Sequence, residues 1–129
     1  MNNELRKIIY VEDDEIVSEI VQMTLEDLGD FEVRCFSSGQ QLVNNIPQIN
    51  EQLLLIDMMM PEMDGIETVT RLQEVLKEDM LPFIFMTARA QNHEQQVYKE
   101  MGALGVIVKP FDPLQLSDQI RELWNSRHE

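Results

Sequence analysis

Five short apolar segments recur along this chain, each separated from the next by a longer segment with the period of a helix. They cover residues 7–11, 31–36, 53–56, 82–86 and 103–108. Residues 53–56 and 82–86 are apolar throughout, as strands are when helices cover both faces of a parallel sheet. Residues 31–36 alternate apolar with polar side chains, which predicts a less buried strand near an edge. The pattern predicts an α/β fold: a doubly wound, five-stranded parallel sheet with five helices.

The segments between the strands carry apolar residues at three- and four-residue steps, which is typical of helices with one buried face. We predict a first helix that ends at Gly29, a second over about 39–46 before Pro47, and a fourth over about 93–101 before Gly102. Asp112 as N-cap and Pro113 open a last helix over about 113–126. The inward positions are predicted to be Ile16, Val17, Ile20, Val21, Leu25 and Leu28 in the first helix, Ile66, Val69, Leu72 and Leu76 in the third, and Leu116, Ile120 and Leu123 in the last.

Length and composition fit one acidic domain that covers residues 1–129. This is near the commonest domain size, and 43% of the residues are hydrophobic, enough for an ordinary core. With 24 acidic and 10 basic side chains, the net charge of −14 repels nucleic acids and anionic membranes. No apolar run approaches the roughly 20 residues that cross a bilayer. The lone Cys35 cannot form an internal disulfide, so we expect a cytoplasmic protein.

Polar side chains directly follow four of the predicted strands. Residues 12–14, Glu-Asp-Asp, follow the first strand, Asp57 the third, Thr87 the fourth and Lys109 the fifth. In sheets of this class, ligands bind outside the carboxyl ends of the strands. Carboxylates held close together repel one another unless a cation lies among them, and an all-oxygen ligand set suits Mg²⁺. We therefore predict a magnesium site at this edge of the sheet.

A hard metal beside a carboxylate, a hydroxyl and a lysine is suited to phosphoryl transfer. Asp57 is predicted to be the nucleophile, forming an acyl phosphate. Mg²⁺ and Lys109 would offset the charge on the phosphoryl oxygens, and the Thr87 hydroxyl would donate a hydrogen bond to one of them. Each residue alone also fits a structural role, such as a helix cap for Asp14. Their occurrence on four separate strand ends favours the functional interpretation.

These residues belong to a pattern that resembles bacterial two-component response-regulator receiver domains, of the single-domain, chemotaxis-regulator-like kind. The likeness covers essentially the whole chain in order and spacing. The segments that carry it are Val11-Glu12-Asp13-Asp14, Leu55-Ile56-Asp57-Met58-Met59-Met60-Pro61-Glu62-Met63-Asp64-Gly65, Met86-Thr87-Ala88 and Val108-Lys109-Pro110-Phe111. The resemblance implies the flavodoxin-like strand order 2-1-3-4-5, which the hydrophobic pattern allows without singling it out.

The resemblance also implies a set of metal ligands. Asp57 corresponds to the phosphoacceptor and Asp13 to a direct Mg²⁺ ligand, with Mn²⁺ as a substitute metal. Glu12 corresponds to the other member of the acidic pair, which reaches the metal through water. The backbone carbonyl of Met59 would supply a further ligand.

Two further positions correspond to residues that respond to the phosphoryl group. Thr87 would shift towards it on activation, and Lys109 would contact it. The resemblance also implies a cis peptide bond between Lys109 and Pro110, and cis bonds are confined almost entirely to X-Pro.

Departures from the usual pattern concern signalling and phosphate lifetime. Receivers commonly carry Tyr or Phe three residues before the lysine, and here that position is Val106. Because valine cannot make a large ring rotation, we expect phosphorylation to change the loop after Thr87 and the following helix more than the fifth strand. Met59 and Arg89 occupy positions that in similar receivers flank the path of water to the acyl phosphate. A bulky apolar group and a long cation there predict slow self-dephosphorylation, over hours.

Three alternatives fit parts of the pattern. The first is a degenerate receiver that only binds proteins, but the full set of phosphorylation residues argues against it. The second is a haloacid-dehalogenase-like phosphatase, which carries an aspartate where this chain has Met59 and usually needs a cap for which this chain has no room. The third is a flavodoxin-type FMN site, where Glu12, Asp13 and Asp14 would repel the phosphate.

The expected partners follow from the resemblance. The phosphodonor would be a histidine kinase or a histidine phosphotransfer protein. No DNA-binding, cyclase or kinase module accompanies the receiver pattern, so we expect output through a downstream protein target or an effector domain of a longer regulator. Direct contact with nucleic acid or membrane is not expected. Phosphorylation would shift a population between two packings, of which a partner recognises one.

Overall fold

The computed structural model describes residues 4–88 and 91–127, and in that part of the chain five strands alternate with five α-helices. The strands are β1 Lys7–Val11, β2 Glu32–Phe36, β3 Leu53–Asp57, β4 Phe83–Thr87 and β5 Gly105–Val108. The helices are α1 Glu15–Gly29, α2 Gly39–Asn44, α3 Gly65–Leu76, α4 Asn92–Glu100 and α5 Pro113–Ser126. Short 3-10 turns follow α2 at Ile46–Gln48 and α3 at Lys77–Asp79. The second helix is therefore shorter than predicted, because the chain tightens into a 3-10 turn around Pro47.

The five described strands form one parallel sheet in the order β2-β1-β3-β4-β5. This is the doubly wound, flavodoxin-like order, so the expected fold class is confirmed. β2 lies at one edge, as its alternating pattern predicts, and β5 lies at the other. The central strands β3 and β4 are buried at every position. Among the described residues, no helix combines the length and apolar character that spanning a membrane requires.

Helices cover both faces of the sheet and enclose two separate cores. On one face, α1 and α5 pack against Ile8, Tyr10, Leu55 and Met86, and Trp124 of α5 is buried there. On the other face, α2, α3 and α4 pack against alternate residues of the same strands. These residues are Ile9, Val11, Leu54, Ile56, Phe83 and Phe85. Successive strand residues point to opposite faces, so a side chain's position in a strand decides which core it joins.

The buried stripe of α1 is narrower than the periodicity predicts. Val21 and Leu25 are fully buried, but Ile16, Ile20 and Leu28 are 71%, 48% and 59% exposed, so the prediction that these three face inward is wrong. The helix contacts the sheet and α5 mainly along positions four residues apart, which continue from Leu25 to Gly29. Apolar residues beside that line remain on the outer surface of the helix.

Gly29 allows α1 and α5 to approach closely. The left-handed turn that ends α1 is made by Asp30, with φ of 58°, and not by the glycine itself. A Cβ at position 29 would lie 2.5 Å from the Ser117 hydroxyl of α5 and 2.7 Å from the Phe31 ring. Arg121 of α5 donates a hydrogen bond to the Gly29 carbonyl and stacks over Phe31, 4.2 Å from the ring centroid. Arg121 thus places a positive charge at the carboxyl end of α1, which has no basic residue in its own last turn.

Aspartate side chains cap three helices that begin at the carboxyl edge of the sheet. Asp14 accepts hydrogen bonds from the backbone N–H groups of Ile16 and Val17, at 2.9 and 3.1 Å. Asp64 caps α3 and Asp112 caps α5 in the same way. The capping function predicted for Asp112 is confirmed, and Asp14 has the structural role that its position after β1 also suggests.

Candidate functional site

The predicted site residues meet at one edge of the sheet. Each adjacent pair of strands is parallel, and the strands end nearly in register. The last paired positions are Val11 with Ile56, Asp57 with Met86, and Thr87 with Val108. Glu12 and Lys109 come directly after the paired residues of β1 and β5. The carboxyl ends of four strands therefore lie at one edge, where the side chains of Glu12, Asp13, Asp57 and Lys109 come together as the sequence predicts, and Thr87 ends the fourth strand beside them.

Lys109 joins the ends of three strands. Its ammonium nitrogen Nζ donates to Glu12 Oε1 at 3.0 Å and to Asp57 Oδ1 at 3.1 Å. Burial alone would lower the pKa of Lys109, but the hydrogen bonds and charges of Asp57 and Glu12 outweigh it and raise the pKa. Lys109 therefore stays protonated and places its positive charge between two buried carboxylates.

Three acidic residues form a cluster beside this lysine. One carboxylate oxygen from each of Glu12, Asp13 and Asp57 lies within 4.8 Å of the others. Glu12 and Asp57 are 3% and 4% exposed, whereas Asp13 lies at the surface. Desolvation, a hydrogen bond with Glu12 and the neighbouring negative charges raise the pKa of Asp13. An oxygen-only set at this spacing, partly open to solvent, fits a hard divalent cation such as Mg²⁺.

Glu12 is held by donors on three sides. Besides Lys109, the Tyr10 hydroxyl donates to Oε1 at 3.0 Å, and the Asp14 backbone N–H donates to Oε2 at 3.3 Å. Burial and the negative charge of Glu12 raise the pKa of Tyr10, so its hydroxyl stays protonated and acts as the donor. These three donors together fix the orientation of the Glu12 carboxylate.

The loop after β3 is packed tightly against the strand end. The Gly65 N–H donates to the Met58 carbonyl at 3.0 Å, and a Cβ on Gly65 would lie 2.8 Å from the backbone oxygen of Asp57. Only glycine lets α3 begin this close to the strand. Met59 lies on the surface, with 72% of its side chain exposed. Arg89, the other residue predicted to screen the acyl phosphate, lies outside the described residues.

Thr87 ends β4 and is 2% exposed. By the alternation of the strand it lies on the face of Phe85, whereas Asp57 lies on the face of Leu55, across the sheet. The Thr87 carbonyl accepts a hydrogen bond from the Lys109 backbone N–H at 2.8 Å, which connects the ends of β4 and β5. The Lys109–Pro110 peptide bond is cis, as expected.

Comparison with known proteins agrees with this geometry. The model of the response regulator receiver domain matches residues 8–121. The chain belongs to this family. It is 32% identical over 116 residues to the response regulator Rre1 of Synechocystis, covering 90% of this chain and 50% of that protein. It is 33% identical over 123 residues to the transcriptional regulatory protein SrrA of Staphylococcus aureus, covering 95% of this chain and 48% of that protein.

Solved structures agree with the family assignment. The chemotaxis protein CheY4 of Vibrio cholerae is 25% identical, with a TM-score of 0.82 over 93% of this chain and 99% of that one. Receiver domains are phosphoacceptor switches of two-component systems rather than turnover enzymes, and they interact with histidine kinases or phosphotransfer proteins. The chain spans about half the length of the curated relatives named above.

Two residues that support the site have no role in the sequence-based prediction. In the sequence pattern, Tyr10 is one more residue of a buried strand, and Gly65 is part of the segment that resembles the family. The available signal for Tyr10 is a hydroxyl in an otherwise apolar segment, two residues before Glu12 and so on the same face of the strand. For Gly65 the signal is its place directly after a capping aspartate at the start of a helix.

Proposed function

We propose that Asp57 accepts a phosphoryl group from a histidine kinase or a histidine phosphotransfer protein, and that the phosphorylated domain binds its target differently. The observation that carries this proposal is Lys109, which contacts Asp57 and Glu12 within a cluster of three carboxylates. In a structural ion pair, one carboxylate would suffice for one lysine. The surplus negative charge favours a site that takes up a divalent cation and a phosphoryl group.

In the proposed reaction, the phosphoryl group comes from a phosphohistidine of the donor protein. A carboxylate oxygen of Asp57 forms a bond to phosphorus while the bond from phosphorus to the histidine nitrogen breaks. The electron pair of that bond stays with the imidazole, which leaves as neutral imidazole when its other ring nitrogen already carries a proton and otherwise takes one proton from solvent to become neutral. The product is an acyl phosphate on Asp57.

The residues around Asp57 have separate tasks in this step. Lys109 uses two of its three N–H donors on Glu12 and Asp57, and it turns towards the phosphoryl oxygens as they arrive. The Thr87 hydroxyl, at the end of the neighbouring strand, would donate to a phosphoryl oxygen. Glu12, Asp13, Asp57 and the Met59 carbonyl would hold Mg²⁺, or Mn²⁺ in its place, which offsets charge on the phosphoryl oxygens.

Residues 1–129 would form one receiver domain in the cytoplasm, where a lone cysteine stays reduced. Output passes through a protein target or an effector domain, and the net charge of −14 disfavours direct contact with nucleic acid or membrane. Relatives named as transcriptional regulators make a transcription effector one candidate. A phosphatase is disfavoured because Met59 stands where such an enzyme needs an acid.

The test is incubation with acetyl phosphate and Mg²⁺, followed by intact mass measurement. The wild-type protein should gain one phosphate, and chelation of the metal should prevent the gain. Asp57→Asn should gain none. Asp112→Asn is the matched control, because asparagine caps a helix as well as aspartate does and the described side-chain hydrogen bond of Asp112 goes to the first turn of α5, away from the acidic cluster. Absence of a gain in the wild type with acetyl phosphate and with phosphohistidine donors would favour a degenerate receiver that only binds proteins.

A further inference from the structure

We propose that the Tyr10 hydroxyl is a positioning group that holds the Glu12 carboxylate in the orientation needed to bind the divalent cation. This inference rests on the proposed function, because it assigns Glu12 to the cation site. It adds to that site a residue from the core of the sheet, beneath the acidic cluster. Tyr10 acts through Glu12, without itself touching the cation or the phosphoryl group.

The position of Tyr10 in β1 explains how its hydroxyl reaches the site. Tyr10 and Glu12 are two residues apart and so lie on the same face of the strand. The ring is fully buried in the core beneath α1 and α5, and its hydroxyl lies 3.0 Å from Glu12 Oε1. A buried tyrosine hydroxyl needs a hydrogen-bond partner. Here the partner is a carboxylate at the site, which makes the bond charge-assisted and directional.

The donors to Glu12 differ in what happens to them during phosphoryl transfer. Oε1 accepts from Tyr10 and from Lys109, and Oε2 accepts from the backbone of Asp14. Lys109 also contacts Asp57 and is the donor that turns towards an incoming phosphoryl group. Tyr10 is anchored by its packed ring and has no such second acceptor among its described hydrogen bonds. It therefore keeps Oε1 in place when Lys109 leaves it.

The expected change in Mg²⁺ affinity can be sized from metal sites in general, where hydrogen bonds orient the residues that bind the metal. Groups that orient a metal ligand by a hydrogen bond typically change metal affinity about 10- to 100-fold when removed. Phenylalanine at position 10 keeps the ring that packs against the core and removes only the hydroxyl. We expect the Mg²⁺ concentration for half-maximal binding to rise about 10-fold in Tyr10→Phe.

The experiment compares Tyr10→Phe with Tyr98→Phe, which removes the hydroxyl of the second tyrosine, buried in the core on the opposite face of the sheet. Mg²⁺ affinity is measured by calorimetric titration, and the initial rate of phosphorylation by acetyl phosphate is measured across Mg²⁺ concentrations. Tyr10→Phe should shift half-saturation in both assays and change the rate at saturating Mg²⁺ less than about twofold. Tyr98→Phe should match the wild type. A half-saturation within twofold of the wild type for Tyr10→Phe, or equal shifts in both variants, would overturn the inference.

A second measurement needs no substitution at position 10. Incorporation of 3-fluorotyrosine gives one ¹⁹F resonance for each of the two tyrosines, assigned with Tyr98→Phe. Addition of MgCl₂ should move the Tyr10 resonance and leave that of Tyr98 in place, and an unmoved Tyr10 resonance would contradict the inference. If the wild type binds Mg²⁺ but takes up no phosphate, the proposed function fails alone. If it takes up phosphate while Tyr10→Phe binds Mg²⁺ normally, the positioning role fails alone.

Discussion

Gly65→Ala should damage the site through the backbone rather than through any functional side chain. The added Cβ would lie 2.8 Å from the Asp57 carbonyl oxygen and 3.0 Å from the Met58 Cα. Both neighbours are backbone atoms, so no side-chain rotation relieves the contact. The start of α3 has to move about 0.6 Å from β3 to reach an ordinary contact distance of 3.4 Å. That movement displaces the loop over residues 58–64, which joins Asp57 to α3 and includes the Met59 carbonyl.

The cost of this substitution has two parts. Overpacking of a well-packed contact typically destabilises by about 1–3 kcal/mol. Alanine favours a helix over glycine by about 0.5–1 kcal/mol in the interior of a helix, and by less at its first residue, which is the position of Gly65. We therefore expect the free energy of unfolding to fall by about 1–2 kcal/mol.

Urea denaturation and phosphorylation by acetyl phosphate together test this expectation. Gly102→Ala is the matched control, because Gly102 has φ of 104° and a Cβ there meets nothing closer than the Phe83 ring at 3.9 Å. Alanine at that φ costs about 1 kcal/mol or more through conformation alone, away from the site. Both variants should lose stability, but only Gly65→Ala should phosphorylate more slowly. A Gly65→Ala protein with wild-type stability and rate would refute the reasoning.

Three further outcomes are expected. In NMR spectra, phosphorylation should shift the loop after Thr87 and α4 more than β5, and the largest shift at Val106 would contradict this. The acyl phosphate on Asp57 should persist for hours in Mg²⁺ buffer and decay faster in Met59→Ala, whereas loss of ³²P from the wild type within a minute would exclude slow hydrolysis. Burial raises the pKa of the Cys35 thiol above that in the unfolded chain. The stability that the buried thiol contributes is therefore full below the thiol pKa of the unfolded chain and is lost as the pH rises through the pKa of the folded protein. Urea unfolding of wild type and Cys35→Ala between pH 7 and 10 should therefore converge at the alkaline end, and a constant difference would exclude the effect.

The strand pattern predicted the fold well because a parallel sheet imposes simple chemistry on its sequence. Strands covered on both faces are apolar throughout. The polar residue that follows each such strand therefore lies at the carboxyl edge, where ligands bind in sheets of this class. The helices were less predictable. Apolar residues at Ile16, Ile20 and Leu28 follow the helical period but remain exposed, because periodicity does not indicate how wide a stripe the sheet and α5 cover.

The acidic cluster and Lys109 were predictable as a group, because the residues lie at or just after the ends of three strands. The contacts that orient them were not. The hydrogen bond from Tyr10 to Glu12 depends on how far a buried ring reaches along the strand, and the need for glycine at position 65 depends on the distance between α3 and β3. Both are properties of packing between elements, which hydrophobic patterns and residue spacing do not specify.

By strand alternation, Thr87 continues the row of Phe83 and Phe85, and Asp57 continues the row of Leu53 and Leu55, so the two residues meet at the carboxyl edge above different cores. A phosphoryl group that contacts Lys109 and Thr87 together would lie at the edge where both cores end, beside helices from both faces of the sheet. Changes beneath α4 can then alter what a partner recognises while the acidic cluster stays intact on the side of α1 and α5. Because its two faces carry separate cores, such a domain can change the surface that a partner recognises without changing the residues that take up the phosphoryl group.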